Sequence, residues 1–332
     1  MQASLTNWIK SDFSNKMAHI FYLDWDNKTA HWLNESRSTK FKKEVTWKEY
    51  KIPITICTNC DSYLDVYKSS NKNIPFLKSH LQKCIRRGLT NKAIKTANNM
   101  IQLNILEFIR RLSIIILEDC VLHDSLNILS WMIAAYPEWK PSDTHIEWLL
   151  GLVEYLSNLA VRDTIKYEEF DFKKNLKTIN SLNLNHKTIL YTINFRISYG
   201  GLNCDMKMLE YFSNLWLDRF QTDSEFNTYI ETPIKPNKSK LQLIDIREIE
   251  PSAIDFHCFP QLLTKLEDKY PELNGEDIKH SIWYHRSRKN TKLIINDIDN
   301  YDNKYKCLWN TIKYDLNCYV LTILNKIKLK EY

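Results

Sequence analysis

Glycine is nearly missing. Five glycines stand in 332 residues: Gly88, Gly151, Gly200, Gly201 and Gly275. A phosphate-cradling loop needs several glycines close together, so that backbone amides can approach the oxygens. Neither GxxxxGK[ST] nor GxGxxG is present. The scarcity argues against a P-loop ATPase or a Rossmann enzyme, and no nucleotide cofactor is expected. Long apolar runs are missing too: no stretch reaches the ~18 residues that a membrane-spanning helix needs. The opening stretch, MQASLTNWIKSDFSNK, lacks the apolar core of a signal peptide. The expectation is a soluble protein of a reducing intracellular compartment (nucleus, cytoplasm or viral factory), with no membrane partner. In that setting the eight cysteines read as core residues, reactive thiols or metal ligands before disulfides.

What is present is ordinary for a globular chain: 44% hydrophobic and 26% charged residues. A net charge of +6 and a pI near 8.7 make the chain mildly basic, a modest pointer to an acidic partner such as nucleic acid. Asn, Lys and Ile are in excess. Their codons are AT-rich, which points to an AT-rich genome such as that of a protist, a symbiont or a large DNA virus.

The periodicity predicts a mainly α protein. The expected architecture is a multi-helix bundle or stacked helical hairpins with a small irregular or zinc-stapled N-terminal module. Residues 1–74 form the irregular segment with short strands, and Glu44 to Ile56 is its most strand-like part. Residues 75–220 read as a helical domain. There Leu77, Leu81, Cys84 and Ile85 share one face, and Ile101, Ile105, Ile109, Leu112 and Ile116 form a longer stripe. Helices are expected at Ser125–Tyr136, from an Asp143 N-cap, at Thr188–Tyr199 and at Asp205–Phe220. Residues 221–253, with Pro233, Pro236 and Pro251, read as a linker or extended loop, and residues 254–332 as a C-terminal helical region. The Gly200–Gly201 pair predicts a turn that requires positive φ.

Several patterns point to chemistry. Cys57 and Cys60 form a CxxC, and His80 and Cys84 sit at i, i+4 on a helix; together they make a candidate zinc quartet. Gln2, Leu5 and Trp8 have the Q-x-x-L-x-x-aromatic spacing of sliding-clamp peptides, with Ile9 where a second aromatic usually stands. In the C-terminal region Trp283, Tyr284, His285, Arg286, Arg288, Lys289 and Lys292 interleave rings and cations, a pattern suited to base stacking plus phosphate contact. Asp245, Glu248, Glu250, Asp255, His257, Cys258, His280 and His285 offer ligands for a nuclease-like metal site around residues 245–285.

Ser79, Leu81, Gln82, Lys83 and Arg86, followed by Arg110, Arg111, Leu112, Glu118 and Asp119, make one further pattern. It resembles the C-terminal helical region of the MgsA (RarA, Werner-helicase-interacting) AAA+ ATPases. The resemblance spans residues 79–119 alone, and the ATPase domain of that family is absent. It therefore implies an assembly role and a homo-oligomer, not ATP hydrolysis. Read by their chemistry, Lys83, Arg86 and Arg87 are candidate phosphate contacts, as are Arg110 and Arg111; the alternative for the four arginines is pairing with Glu118 and Asp119 to fix helix packing. The combined expectation is a non-catalytic accessory factor of DNA replication or repair, nucleic-acid-associated and clamp-binding. A metal-dependent nucleic-acid enzyme and a structural or virion protein are the alternatives.

Overall fold

In the computed structural model, residues 19–35, 37–62, 73–163, 182–221, 225–239, 242–294 and 303–326 are described. The strands are β1 (Ile20–Asp24), β2 (Thr29–Leu33), β3 (Phe41–Trp47) and β4 (Ile52–Thr58). Next come helices α1 (Ile74–Arg86), α2 (Thr90–Asp119), α3 (Ser125–Ala135) and α4 (Asp143–Asn158), and the two-residue strand β5 (Val161–Arg162). Helices α5 (Leu184–Ile197), α6 (Asn203–Arg219), α7 (Gln261–Lys269) and α8 (Gly275–Ile282) follow. Strand β6 (Leu293–Ile294) and helix α9 (Asn303–Leu324) close the order. Helix dominates, as the periodicity predicts. Among the described residues no helix is long and apolar enough to cross a membrane. The chain forms two compact units, each drawn from three separate stretches: 1–66, 112–146 and 165–234 in the first, and 67–111, 147–164 and 235–332 in the second.

The first unit holds more regular structure than the sequence predicts for its N-terminal part. Two antiparallel hairpins, β1–β2 and β3–β4, join through a parallel β1–β4 pair into a sheet of order β2-β1-β4-β3. Alternation explains β4, where Ile52, Ile54 and Ile56 turn inward while Pro53 faces out, and β1 is buried through Phe21, Tyr22 and Leu23. Aromatic rings fill the space behind the sheet. Phe21 stacks on Trp32 at 4.5 Å, and Trp32 meets Trp47 and Phe195. Helix α3 is buried along its whole length. Its Trp131 donates one indole N–H to Phe21 O (3.0 Å) and Cys57 O (3.1 Å), fastening it to the two central strands. Arg196 of α5, fully inside, donates to Ser113 Oγ and to the Gly200 carbonyl. Gly200 has φ +67°, so the glycine pair does make a positive-φ turn.

The second unit is helical. Helix α2 breaks at Asn104, whose backbone is extended and whose Oδ1 accepts the Glu107 N–H, so that a new helix is capped in mid-stripe. Ile101, Ile109, Leu112 and Ile116 are all buried and Ile105 partly so; the stripe is interior rather than an exposed face. Arg110 pairs with Glu107, and Arg111 donates to Gln82. Helices α7, α8 and α9 pack through Leu262, Leu266, Ile278, Ile282, Ile312, Leu316 and Val320.

Residues 235–239 and 242–255 carry only two short 3₁₀ turns, yet they are held at many points. Asn98 Nδ2 donates to Ser239 O and Gln242 O, and Asn99 Oδ1 accepts Ile244 N–H. His80 Nε2 accepts Glu250 N–H, and Ser79 Oγ accepts Asp255 N–H. Where the segment crosses α4, Asn237 N–H bonds Glu147 O, and a Cβ on Gly151 would stand 1.9 Å from the Lys235 carbonyl oxygen. Gly151→Ala is therefore expected to destabilise the protein by about 1–3 kcal/mol, because backbone must move to admit the methyl. Gly275→Ala, whose Cβ meets only the flexible end of Glu267, should cost under about 0.5 kcal/mol. Denaturant titration of the two variants side by side checks the contrast.

Candidate nucleic-acid interface

After α8 the backbone continues for one turn of π-helix, Trp283–Ser287, closed by Arg288 N–H donating to Trp283 O at 2.8 Å. A π turn inserts an extra residue and re-aims those beside it, which is why such turns gather at functional sites. This one carries Tyr284, His285 and Arg286 to the wall of a cleft of about 630 Å³, also lined by Arg87, Arg162, Glu250, Arg288, Lys289, Asn290 and Trp309.

Buried cations brace the cleft from behind. Arg86 donates to Ser287 O, and its own carbonyl accepts Thr291 N–H. Arg87 donates to Ser252 Oγ (3.0 Å) and to Arg286 O. Arg286 donates to Pro251 O. Lys292 inserts its ammonium among the last carbonyls of α4, Leu156 O (2.7 Å), Ser157 O (3.3 Å) and Leu159 O (2.5 Å), supplying donors to a helix end that lacks them. β6 then pairs in parallel with β5, fixing Arg162 at the cleft.

These positions sort the residues that the sequence nominates for nucleic acid. Lys83 is buried and bound to Asp255 at 3.0 Å and to Ser79; Arg86 is buried against Ser287. Both are engaged inside the fold, and neither lines the cleft. Arg286 is also buried but lines the cleft. Arg87, Tyr284, Arg288 and Lys289 line it as well. Trp283 is 43% exposed, and the Arg288 guanidinium lies 5.7 Å from its ring and 5.3 Å from that of Tyr284. Sequence reasoning missed Arg162, Asn290 and Trp309. Trp309, on α9, stacks on His285 at 4.8 Å, a partnership over 24 residues of chain that no local pattern announces.

The electrostatics are those of crowded cations. Burial, then the neighbouring Arg87 charge, pulls the Arg286 pKa down to about 10. Burial and Lys289 also lower that of His285, despite a backbone hydrogen bond with Tyr305 that favours its charged form. The nearby carboxylate, Glu250, is paired with Lys92 at 3.0 Å.

The other nominated sites are arranged differently. Cys57 and Cys60 lie in the first unit, His80 and Cys84 in the second. His80 has both ring nitrogens occupied, Nδ1 by Thr96 Oγ1 (2.8 Å) and Nε2 by Glu250 N–H (2.9 Å). Cys84 lies beside it, fully buried, its thiol pushed up to about 12 by burial. Asp245 caps a 3₁₀ turn and binds Arg247, Glu248 binds Lys95, and Asp255 binds Lys83 and His257. Among the described residues no group of three or more His, Cys, Asp or Glu side chains is arranged to hold a metal ion. Gln2, Leu5 and Trp8 lie outside the described residues.

One further pair was not legible in the sequence. Cys60 Sγ stands 3.7 Å from His145 Nε2 in the first unit, in a cleft of about 640 Å³. Its chemistry is quiet. Ser142 N–H donates to His145 Nδ1, so Nε2 holds the proton and cannot take one from the thiol. Burial, with Lys28 nearby, lowers the His145 pKa to about 3, and burial raises that of Cys60.

No family model, curated protein or solved structure matches the chain.

The buried imidazoles set a pH dependence. His80, His123 and His145 have pKa values lowered to about 3, 4 and 3, chiefly by burial. The unfolded chain takes up protons near pH 6.5 where the folded chain does not. Stability is therefore full above that pH and falls as the pH drops below it, by about 1.4 kcal/mol per pH unit for each histidine. Urea titrations at neutral pH and at ~pH 5 should show the loss, and His80→Gln should flatten it; an unchanged slope would refute the assignment.

Proposed function

We propose that the chain is a nucleic-acid-binding accessory factor, without catalysis of its own, that takes single strands into the cleft beside the π turn. The supporting observation is that cations and aromatic rings share one recess: Arg87, Arg162, Arg288 and Lys289 with Tyr284, His285 and Trp309. Guanidinium forks match phosphate oxygens in pairs, and bases released from a duplex stack on rings whatever their identity. A duplex keeps its bases stacked inside, so it would use the cations and leave the rings idle.

A role in replication or repair is the context that the basic charge and the helical resemblance at residues 79–119 favour. The nuclease reading lacks comparable support, since Asp245, Glu248, Glu250 and Asp255 each have a cationic partner and a magnesium site needs carboxylates that face a metal together.

Fluorescence anisotropy with labelled oligothymidylate and with duplex DNA tests the proposal. Single strands should bind more tightly, and affinity should fall steeply with salt. Arg288→Ala combined with Lys289→Ala should weaken binding and reduce the salt slope by roughly 1–2. Tyr284→Ala should cost roughly 1–3 kcal/mol with the slope retained. Absence of binding at low salt, or a double variant indistinguishable from the parent, would overturn it.

A further inference from the structure

The cleft contains a feature that a strand-tracking groove does not need. Arg286 is 3% exposed, lines the recess, and its Nε has no hydrogen-bond acceptor among the described residues. Asn290 lines the same recess. Its Oδ1 accepts Lys292 N–H at 2.9 Å, which fixes the amide so that Nδ2 is the remaining donor, and that atom too is buried without an acceptor. A buried donor left unpaired costs about 1–3 kcal/mol, and buried polar groups in native proteins are nearly always matched. Both donors belong to residues that line one recess, and an acceptor with more than one oxygen would match the pair.

Charge narrows the choice. Neither Arg87 nor Arg286 has a carboxylate at ion-pair distance among the described residues. Arg162, Arg288 and Lys289 add to the same wall, against Glu250, which is held by Lys92. A phosphodiester within a strand carries one negative charge and two free oxygens. A phosphate monoester carries about −1.5 to −2 near neutral pH and three acceptor oxygens. Shape agrees: a recess of about 630 Å³ has the size of a discrete ligand site, whereas sequence-blind strand binding uses grooves that follow many nucleotides.

We propose that the cleft recognises a strand end, with a terminal phosphate monoester received by Arg286 Nε and Asn290 Nδ2 and the adjoining base laid against Tyr284 or Trp309. This rests on the single-strand reading of the same cleft and makes it specific. The cation wall draws the strand in, and the two inner donors distinguish an end from the interior.

The test is competition anisotropy with the full chain and oligothymidylates of one length bearing a 5′ phosphate, a 3′ phosphate or neither. One phosphorylated end should bind roughly tenfold more tightly than the unphosphorylated strand, as one or two charge-assisted hydrogen bonds allow. Asn290→Asp keeps the oxygen that Lys292 N–H uses and replaces the donor by a negative oxygen; it should abolish the preference for a phosphorylated end. Arg286→Lys keeps the charge, removes Nε–H, and should do the same. Using both guards against one variant failing to fold, which thermal melts report. If no oligonucleotide binds, the single-strand reading itself falls. If all three bind equally, that reading stands and end recognition is overturned. A preference that survives in both folded variants overturns the assignment to these donors.

Discussion

A buried stretch of chain that is neither helix nor strand must give its peptide groups to something, and in the second unit this requirement organises the structure. Residues 235–239 and 242–255 run among the helices with almost no ladder of their own. Asn98, Asn99, His80, Ser79 and Gly151 are the means by which they do so: two amides, an imidazole and a hydroxyl supply hydrogen-bond partners, and a missing side chain supplies room. Polar residues at helix positions would otherwise be a liability in a core. Here they replace the pairing that a sheet would provide. His80 shows the consequence most clearly, since a ring with both nitrogens committed to Thr96 and Glu250 has no lone pair left for another role.

The cleft is an outgrowth of the same arrangement. The segment ends in two 3₁₀ turns, and the carbonyl of Pro251 and the hydroxyl of Ser252 are where Arg286 and Arg87 attach. Arg86 and Lys292 complete the bracing from α1 and from the end of α4. Four cations thus bind neutral oxygens in one neighbourhood. A cation on a carbonyl keeps most of its charge, so the wall of the recess stays electropositive even where it is well packed. The structural role of Arg87 and Arg286 and their proposed role toward a ligand are therefore compatible. Arg286 is fixed through Nη2 on the Pro251 carbonyl and Arg87 through Lys289 O, Ser252 Oγ and Arg286 O, and fixing them orients the N–H groups that remain.

The first unit solves a different problem with aromatics. A sheet of four short strands is marginal alone, and here Trp32, Trp47, Phe21 and Phe195 form a stacked and edge-on cluster behind it. Trp131 adds direction to this packing, because its single N–H reaches carbonyls on both central strands. The tryptophan-rich opening of the chain looks irregular because Lys43 stands in the inner row of β3, between Phe41 and Val45, where alternation calls for an apolar residue.

The helices are local in origin. Apolar spacing of three and four, with Pro137, Pro141 and the glycine pair as stops, is a local property, and α1, α3, α4, α5, α6, α7 and α9 fall where that spacing requires. The sequence also shows that a cluster of rings and cations follows α8. What it left open were matters of distance along the chain. The break at Asn104 follows from one side chain turning back on its own backbone, a choice that an unbroken apolar stripe conceals. The hairpins became a sheet through a parallel pairing of β1 with β4 across more than thirty residues. Which arginines line the cleft was decided by contacts over about two hundred residues, Arg86 with Ser287 and Arg87 with Arg286. Adjacent basic residues look alike as letters. Burial separates them, and burial is fixed only when distant segments pack.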